Sequence, residues 1–189
     1  CAACQVAVCR AAGPVTAVGD LPVHALWVYA GAVAHWLSDA KAHGALPDLA
    51  VIAAAWRRQV RLAAHTDAFT AVPIPPHLAR MRARGWHLPD LLAGRSGAAC
   101  IARNLQRLDA AAPRRLDRGG APVFGWRPGW SGRPTGPVLL IDDVVTTGAT
   151  LMAARDALRR HGIAVAAAVC LADARPAVVA SALAAGGAE

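Results

Sequence analysis

At 189 residues the chain is long enough for one domain with a proper hydrophobic core. A hydrophobic fraction of 56% excludes a disordered chain, and no apolar run reaches the roughly 18 residues needed to span a bilayer. The formal charge of +8, with Lys41 the only lysine and Glu189 the only glutamate, favours anionic partners: phosphorylated metabolites, nucleotides or nucleic acid.

The first segment, "CAACQVAVC", spaces Cys1, Cys4 and Cys9 like half of a zinc ribbon. A structural zinc takes four ligands, and the next ligand-type side chain, His24, lies beyond a Gly-Pro break. Residues 1–22 are therefore expected to be a residual, zinc-ribbon-like module, with Zn2+ on the three thiols as the alternative. Cys100 and Cys170 stand alone in apolar surroundings and read as small buried hydrophobes. The opening residues show no signal-peptide pattern, and a cytoplasmic location is expected.

Residues 23–189 read as a second, larger domain. Leu26, Tyr29, Val33, Trp36 and Leu37 predict a helix over 23–43, and Ile52, Trp56 and Val60 a second helix after Pro47. "AFTAVPIP", residues 68–75, reads as a short buried strand, followed by a basic loop and a helix through "PHLARMRARGWHLPDLLAG". Residues 98–108 fit helix or strand equally. The Gly-, Pro-, Arg- and Trp-rich stretch 113–137 predicts a long mobile loop or a short ribbon. Then come a strand at 138–142, a helix at 149–161, a strand at 163–171 and an alanine-rich helical tail from Pro176. Strands alternating with helices imply a parallel sheet in an α/β fold.

The chemistry concentrates in "VLLIDDVVTTGATL", residues 138–151. Two adjacent aspartates at the end of a buried strand repel each other and resist desolvation, unless something outside the fold satisfies them. In a parallel sheet, ligands bind beyond the carboxyl ends of the strands. The turn from Asp142 to Thr150 lies there and opens a helix, whose first amides suit a phosphate. Thr146, Thr147 and Thr150 add hydroxyl donors, and Gly148 permits close approach. Asp142 and Asp143 can accept hydrogen bonds from sugar hydroxyls or hold water around a metal. Phosphate at one end and a diol at the other describe a ribose 5-phosphate.

The same stretch closely resembles the PRPP-binding motif of type I phosphoribosyltransferases. The resemblance extends to the ComF family of phosphoribosyltransferase-like proteins, associated with DNA uptake. Its cysteine module, lysine-bearing helix, "VPVP...R...RGFNQ"-type segment and PRPP motif are matched in order by "CAACQVAVC", "LSDAKAHG", "VPIPPHLARMRARGWHL" and "VLLIDDVVTTGATL". Two departures stand out: the fourth cysteine is missing, and "RGWHL" replaces the amide-bearing "RGFNQ".

The resemblance implies a parallel-sheet type I phosphoribosyltransferase fold and displacement of pyrophosphate from ribose C1, with Mg2+ carried by PRPP. Asp142 and Asp143 would hold the ribose hydroxyls, and Val144, Val145, Thr146, Thr147, Gly148, Ala149 and Thr150 the 5-phosphate. Arg80, Arg82 and Arg84, with Lys41, are the candidates for pyrophosphate, and 113–137 for a lid. Purine-salvage relatives carry a carboxylate at the position of Thr146, so a purine acceptor is not expected.

Competing readings stay open. The three arginines also read as a solvated face, and Lys41 as a cation at a helix C-terminus. Trp126 and Trp130 suit base stacking or packing on the sheet. The seven histidines form no metal-ligand pattern. Three functions are therefore carried forward: a phosphoribosyltransferase using an unidentified acceptor, an idle PRPP- or nucleotide-binding relative, and a single-stranded-DNA-binding accessory of the DNA-uptake proteins.

Overall fold

A computed structural model describes residues 15–43, 49–108, 122–127, 134 and 136–186. The described chain folds around a six-stranded, mostly parallel sheet of order β1-β2-β8-β7-β3-β4. Its strands are β1 (Val15–Val18), β2 (Leu21–Val28), β3 (Thr70–Pro73), β4 (Cys100–Ile101), β7 (Val138–Val145) and β8 (Val165–Asp173). Only β1, hairpinned onto β2, is antiparallel to its neighbour. A separate two-stranded ribbon joins β5 (Leu105–Arg107) to β6 (Phe124–Trp126). Among the described residues six helices accompany the strands: α1 (Gly31–His43), α2 (Ala53–Ala64), α3 (Leu78–Arg84), α4 (Leu88–Arg95), α5 (Ala149–Arg159) and α6 (Pro176–Gly186).

The two faces of the sheet carry separate cores. One holds Leu37 from α1, Trp56 and Val60 from α2 and Leu92 from α4 against Leu139, Ile141, Val169 and Leu171. The Trp56 indole N–H closes this layer by donating to the Leu92 carbonyl at 2.9 Å. The other face buries Leu151, Ala154 and Leu158 of α5, with Leu105 and Phe124 of the ribbon, against Val138, Leu140 and Cys170. β7 therefore lies between two apolar layers, and its four leading residues are apolar without alternation because both faces are buried.

The helix expected over 23–43 is corrected: its first part is β2, and α1 begins only at Gly31. The apolar residues that suggested one helix span two elements, because a strand buried on both sides has no alternation to betray it. Gly31, at φ +50°, lies at the junction. The basic loop after β3 is also corrected, to the short helix α3 ended by Gly85 in the left-handed region. The undecided stretch 98–108 holds β4 and β5. Within 113–137, residues 122–127 include β6, so this part is ribbon rather than loop; residues 113–121, 128–133 and 135 lie outside the described residues. Cys1, Cys4 and Cys9 lie outside them too. His24 sits on β2 with its side chain buried.

Strand β7 runs three residues beyond the expected end, through Val145. Asp142, the expected last strand residue, and Asp143 therefore both lie within the strand, with Asp142 opposite Cys170 of β8. No helix among the described residues is long and apolar enough to cross a membrane.

Candidate functional site

Strands β3, β7 and β8 are parallel, so the segments leaving them meet at one edge of the sheet. After β3 the chain stays in register for one residue, the Ile74 amide donating to the Ile141 carbonyl at 2.8 Å, and then turns at Pro75 and Pro76 into α3. After β7 it turns through Thr146, Thr147 and Gly148 into α5. A cleft of about 200 Å³ opens between them, walled by Asp142, Asp143 and Thr150 on one side and by His77, Arg84 and His87 on the other.

The paired acids are accommodated asymmetrically. Each carboxylate accepts the amide of the next residue, Asp142 from Asp143 at 2.8 Å and Asp143 from Val144 at 2.7 Å. Asp143 also has a counter-ion, the Lys41 ammonium at 2.6 Å. Burial works against ionisation of Asp143, yet the Lys41 charge and hydrogen bond hold its carboxyl below the ordinary range. Asp142 is pushed well above that range, first by burial and then by the Asp143 charge. One lysine thus serves two acids, and Asp142 lines the cleft without a counter-ion of its own among the described residues.

The turn that follows is built for close approach. Gly148 stands at φ +81°, and a Cβ there would come within 2.4 Å of the Val18 side chain on β1. The hairpin edge therefore presses on the turn, and only glycine fits beneath it. Thr147 Oγ1 accepts the Ala149 amide at 3.3 Å, while its hydroxyl proton stays available to an outside acceptor. Thr146 and Thr147 are exposed and do not line the cleft; of the predicted phosphate turn, Val144 and Thr150 do. The first-turn amides of α5 have no acceptor within the helix and carry its positive end. Val144 lines the cleft, whereas the Val145 side chain is buried in the second core and its carbonyl accepts the Ala174 amide at 2.8 Å. Any contribution of Val145 to a ligand is through backbone only.

The basic candidates separate. Lys41 is at the site as the partner of Asp143 rather than as a free cation. Arg84 lines the cleft and anchors itself through Nε to the Lys41 carbonyl at 3.0 Å, tying α3 to α1. Arg82 is exposed on α3 away from the cleft walls, in keeping with a solvated face. The side chain of Arg80 lies outside what is described.

Several cleft residues escaped the sequence reading. Arg107 reaches the cleft from the ribbon, its guanidinium carbon 5.9 Å from the centre of the Phe124 ring. Trp86 and His87 line it at the "RGWHL" segment. His87 Nδ1 lies 2.8 Å from Asp90 Oδ2, and the other oxygen of Asp90 accepts from Arg103 Nε at 2.8 Å. The His87 hydrogen bond is the main reason that the Asp90 carboxyl lies below its ordinary range. The short sequence spacing of His87 and Asp90, three residues apart at the start of a helix, was the available signal.

Among the described residues no group of three or more His, Cys, Asp or Glu side chains is placed to hold a metal ion by itself. No protein-family model matches this chain, and no curated protein matches it significantly.

Proposed function

We propose that the chain is a phosphoribosyltransferase of the type I fold that binds PRPP with Mg2+ and passes the phosphoribosyl group to an acceptor. The observation that carries the reading is one edge of the sheet. There an under-neutralised carboxylate pair, Arg84, Arg107 and Thr150 of the first turn of α5 line one cleft, and the turn carrying Thr146 and Thr147 joins the acids to that helix. Ribose hydroxyls would donate to Asp142 and Asp143, and the 5-phosphate would take the Thr146–Thr150 turn and the first amides of α5. Mg2+ would arrive as part of the substrate. The acids are hard oxygen donors suited to its water shell, and a cation beside Asp142 would relieve the burden that raises its pKa.

In the reaction the C1–O bond to pyrophosphate breaks, the acceptor's lone pair forms the new bond to C1, and the acceptor gives up one proton. Negative charge grows on the departing pyrophosphate, and Arg84 and Arg107 are the cations on the cleft wall able to meet it. His87 is the group suited to the proton: Asp90 engages Nδ1 and orients the ring, which leaves Nε2 for the cleft. Fixing the sugar between acids and turn supplies the positioning on which such a displacement depends.

The second reading is an idle PRPP- or nucleotide-binding or single-stranded-DNA-binding accessory in DNA uptake. It draws on the exposed strip of Arg57, Arg58 and Arg61 along α2, far in sequence from the paired acids. Titration with PRPP-Mg2+ and with a single-stranded oligonucleotide, each at low and high salt, discriminates the two. The transferase reading expects PRPP binding that changes little with salt and pyrophosphate release once an acceptor is supplied. Oligonucleotide binding that collapses with salt, without PRPP binding, would replace it.

A further inference from the structure

A second cleft, of about 350 Å³, adjoins the first and shares Pro75, Pro76 and Arg107 with it. Its polar lining is one-sided. Arg103, Arg107 and Arg127 converge on it, and Asp90 is the only carboxylate among its described residues. Asp90 is fully engaged, one oxygen taken by Arg103 and the other by His87. The Gln106 side-chain oxygen, in its hydrogen-bonded orientation, accepts from the Arg127 guanidinium and fixes it to the ribbon without neutralising it. The Arg127 amide and the Asn104 carbonyl pair at 2.8 Å, and the Asn104 amide group donates back to the Arg127 carbonyl at 3.1 Å, so the backbone carrying this arginine is also held. Among the described residues, the anchored Arg127 guanidinium thus lies at this cavity with no carboxylate beside it, while Leu78, Leu105 and Pro75 give it apolar walls.

We propose that this second cleft is the acceptor subsite and that it takes a small, carboxylate-bearing ring compound; the inference rests on the transferase reading above. Gln106 occupies the Nε–Nη2 side of Arg127, and the remaining Nη1–Nη2 side can meet a carboxylate with two hydrogen bonds. The volume is at the lower end of what small-molecule sites occupy, which suits a single ring with its substituents. A bare inorganic anion would leave the apolar walls unused, and a neutral ring would leave the Arg127 charge without an anion among the described residues. Arg107 and His87 stand at the junction: Arg107 lines both cavities, while His87 lines the first and bonds Asp90 in the second. An acceptor seated here would lie next to ribose C1, with the oriented imidazole nearby to take its proton.

Arginine side-chain NMR on the full chain tests this with two probes of the same ring and nearly the same shape, the anionic benzoate and the neutral benzamide. The Nε–H signals of Arg103 and Arg127 should move with benzoate, with an apparent affinity about tenfold higher than for benzamide. Arg127→Gln should weaken benzoate by about tenfold, as a lost charge-assisted pair requires, while PRPP-Mg2+ binding is retained. Arg103→Gln provides an independent second variant. Equal responses to the two probes, no response to benzoate, or unaltered benzoate affinity in both folded variants would overturn the subsite. PRPP binding without benzoate binding would sink this inference alone. Benzoate binding without PRPP binding would overturn the transferase reading and, with it, the acceptor role. Displacement of benzoate by a single-stranded oligonucleotide would reassign the cleft to nucleic acid.

Discussion

Two neighbouring strands of this sheet carry buried carboxylates in their second halves, and the protein treats them in opposite ways. At the end of β8, Asp173 is fully buried and fully answered from within. Arg175 donates to it from Nε at 3.0 Å and from its backbone amide at 3.0 Å, its terminal nitrogen lies 2.5 Å from Oδ2, and the Thr16 hydroxyl donates at 3.2 Å. Burial alone would raise the Asp173 pKa, but these Arg175 contacts hold it below the ordinary range. The same guanidinium bonds the Ala17 carbonyl and so ties β1 to the sheet. On the neighbouring strand β7, where Val145 lies opposite Asp173 and Asp142 three positions earlier opposite Cys170, two acids share one lysine, and burial with mutual repulsion drives Asp142 upward. A carboxylate saturated by its own fold is architecture. One left short of a cation at the mouth of a cleft is, on the proposed reading, a place for a ligand.

The largest effect should come from breaking the architectural site. Arg175→Met would leave Asp173 buried and unpaired and should cost about 3–5 kcal/mol of stability in urea denaturation. A loss below 1 kcal/mol would mean that Asp173 finds another partner and that the contrast is overdrawn.

The opposite outcome is expected at β7. The Asp142→Asn, Asp143→Asn double variant should fold at least as stably as the parent, yet lose about 3 kcal/mol of PRPP affinity, the scale of two hydrogen bonds to charged groups. Stability lost in proportion to affinity would turn these acids into a second architectural pair.

The two sites should also respond oppositely to pH. The Asp142 pKa is raised on folding, so the folded state holds a proton that the unfolded chain has released. Its contribution therefore falls as pH rises from the ordinary carboxylate range through the raised folded value. Asp173, with a depressed pKa, contributes stability above the ordinary range and loses it as acid protonates the folded form. Comparing Asp142→Asn with the parent across this span should show a stability difference that widens with pH, by at most about 1.4 kcal/mol per unit for one proton. A flat difference would place the proton elsewhere. The smallest effect is expected from Thr147→Val, roughly 1 kcal/mol of PRPP affinity for one hydroxyl. Unchanged affinity there would mean that the hydroxyl serves only the Ala149 amide.

Much of this contrast was legible in the residues. Four apolar residues running into Asp142 and Asp143, then threonines around Gly148, announce a buried strand, an unsatisfied charge and a turn into a helix by local chemistry alone. What stayed hidden depends on distance in the chain. Lys41 lies about a hundred residues from Asp143, and its ion pair exists only because α1 packs beside β7 on the same face. Arg107 reaches the cleft because a ribbon of two three-residue strands turns it there, and segments that short carry too few residues to show a period. β2 was misread as helix for a related reason, since burial on both faces erases the alternation that marks a strand. Gly148 was legible as a loop glycine, but the approach of Val18 that demands it was not.

The central claim is that the β7 acids and the turn after them are kept for a ribose phosphate. Calorimetric titration of the parent and the double Asn variant with PRPP and Mg2+, with ribose 5-phosphate in parallel, addresses it most directly. The account predicts micromolar PRPP binding by the parent, weaker binding of ribose 5-phosphate, and loss of both in the folded variant. Absence of PRPP binding by the parent, or equal binding by the two proteins, would contradict it.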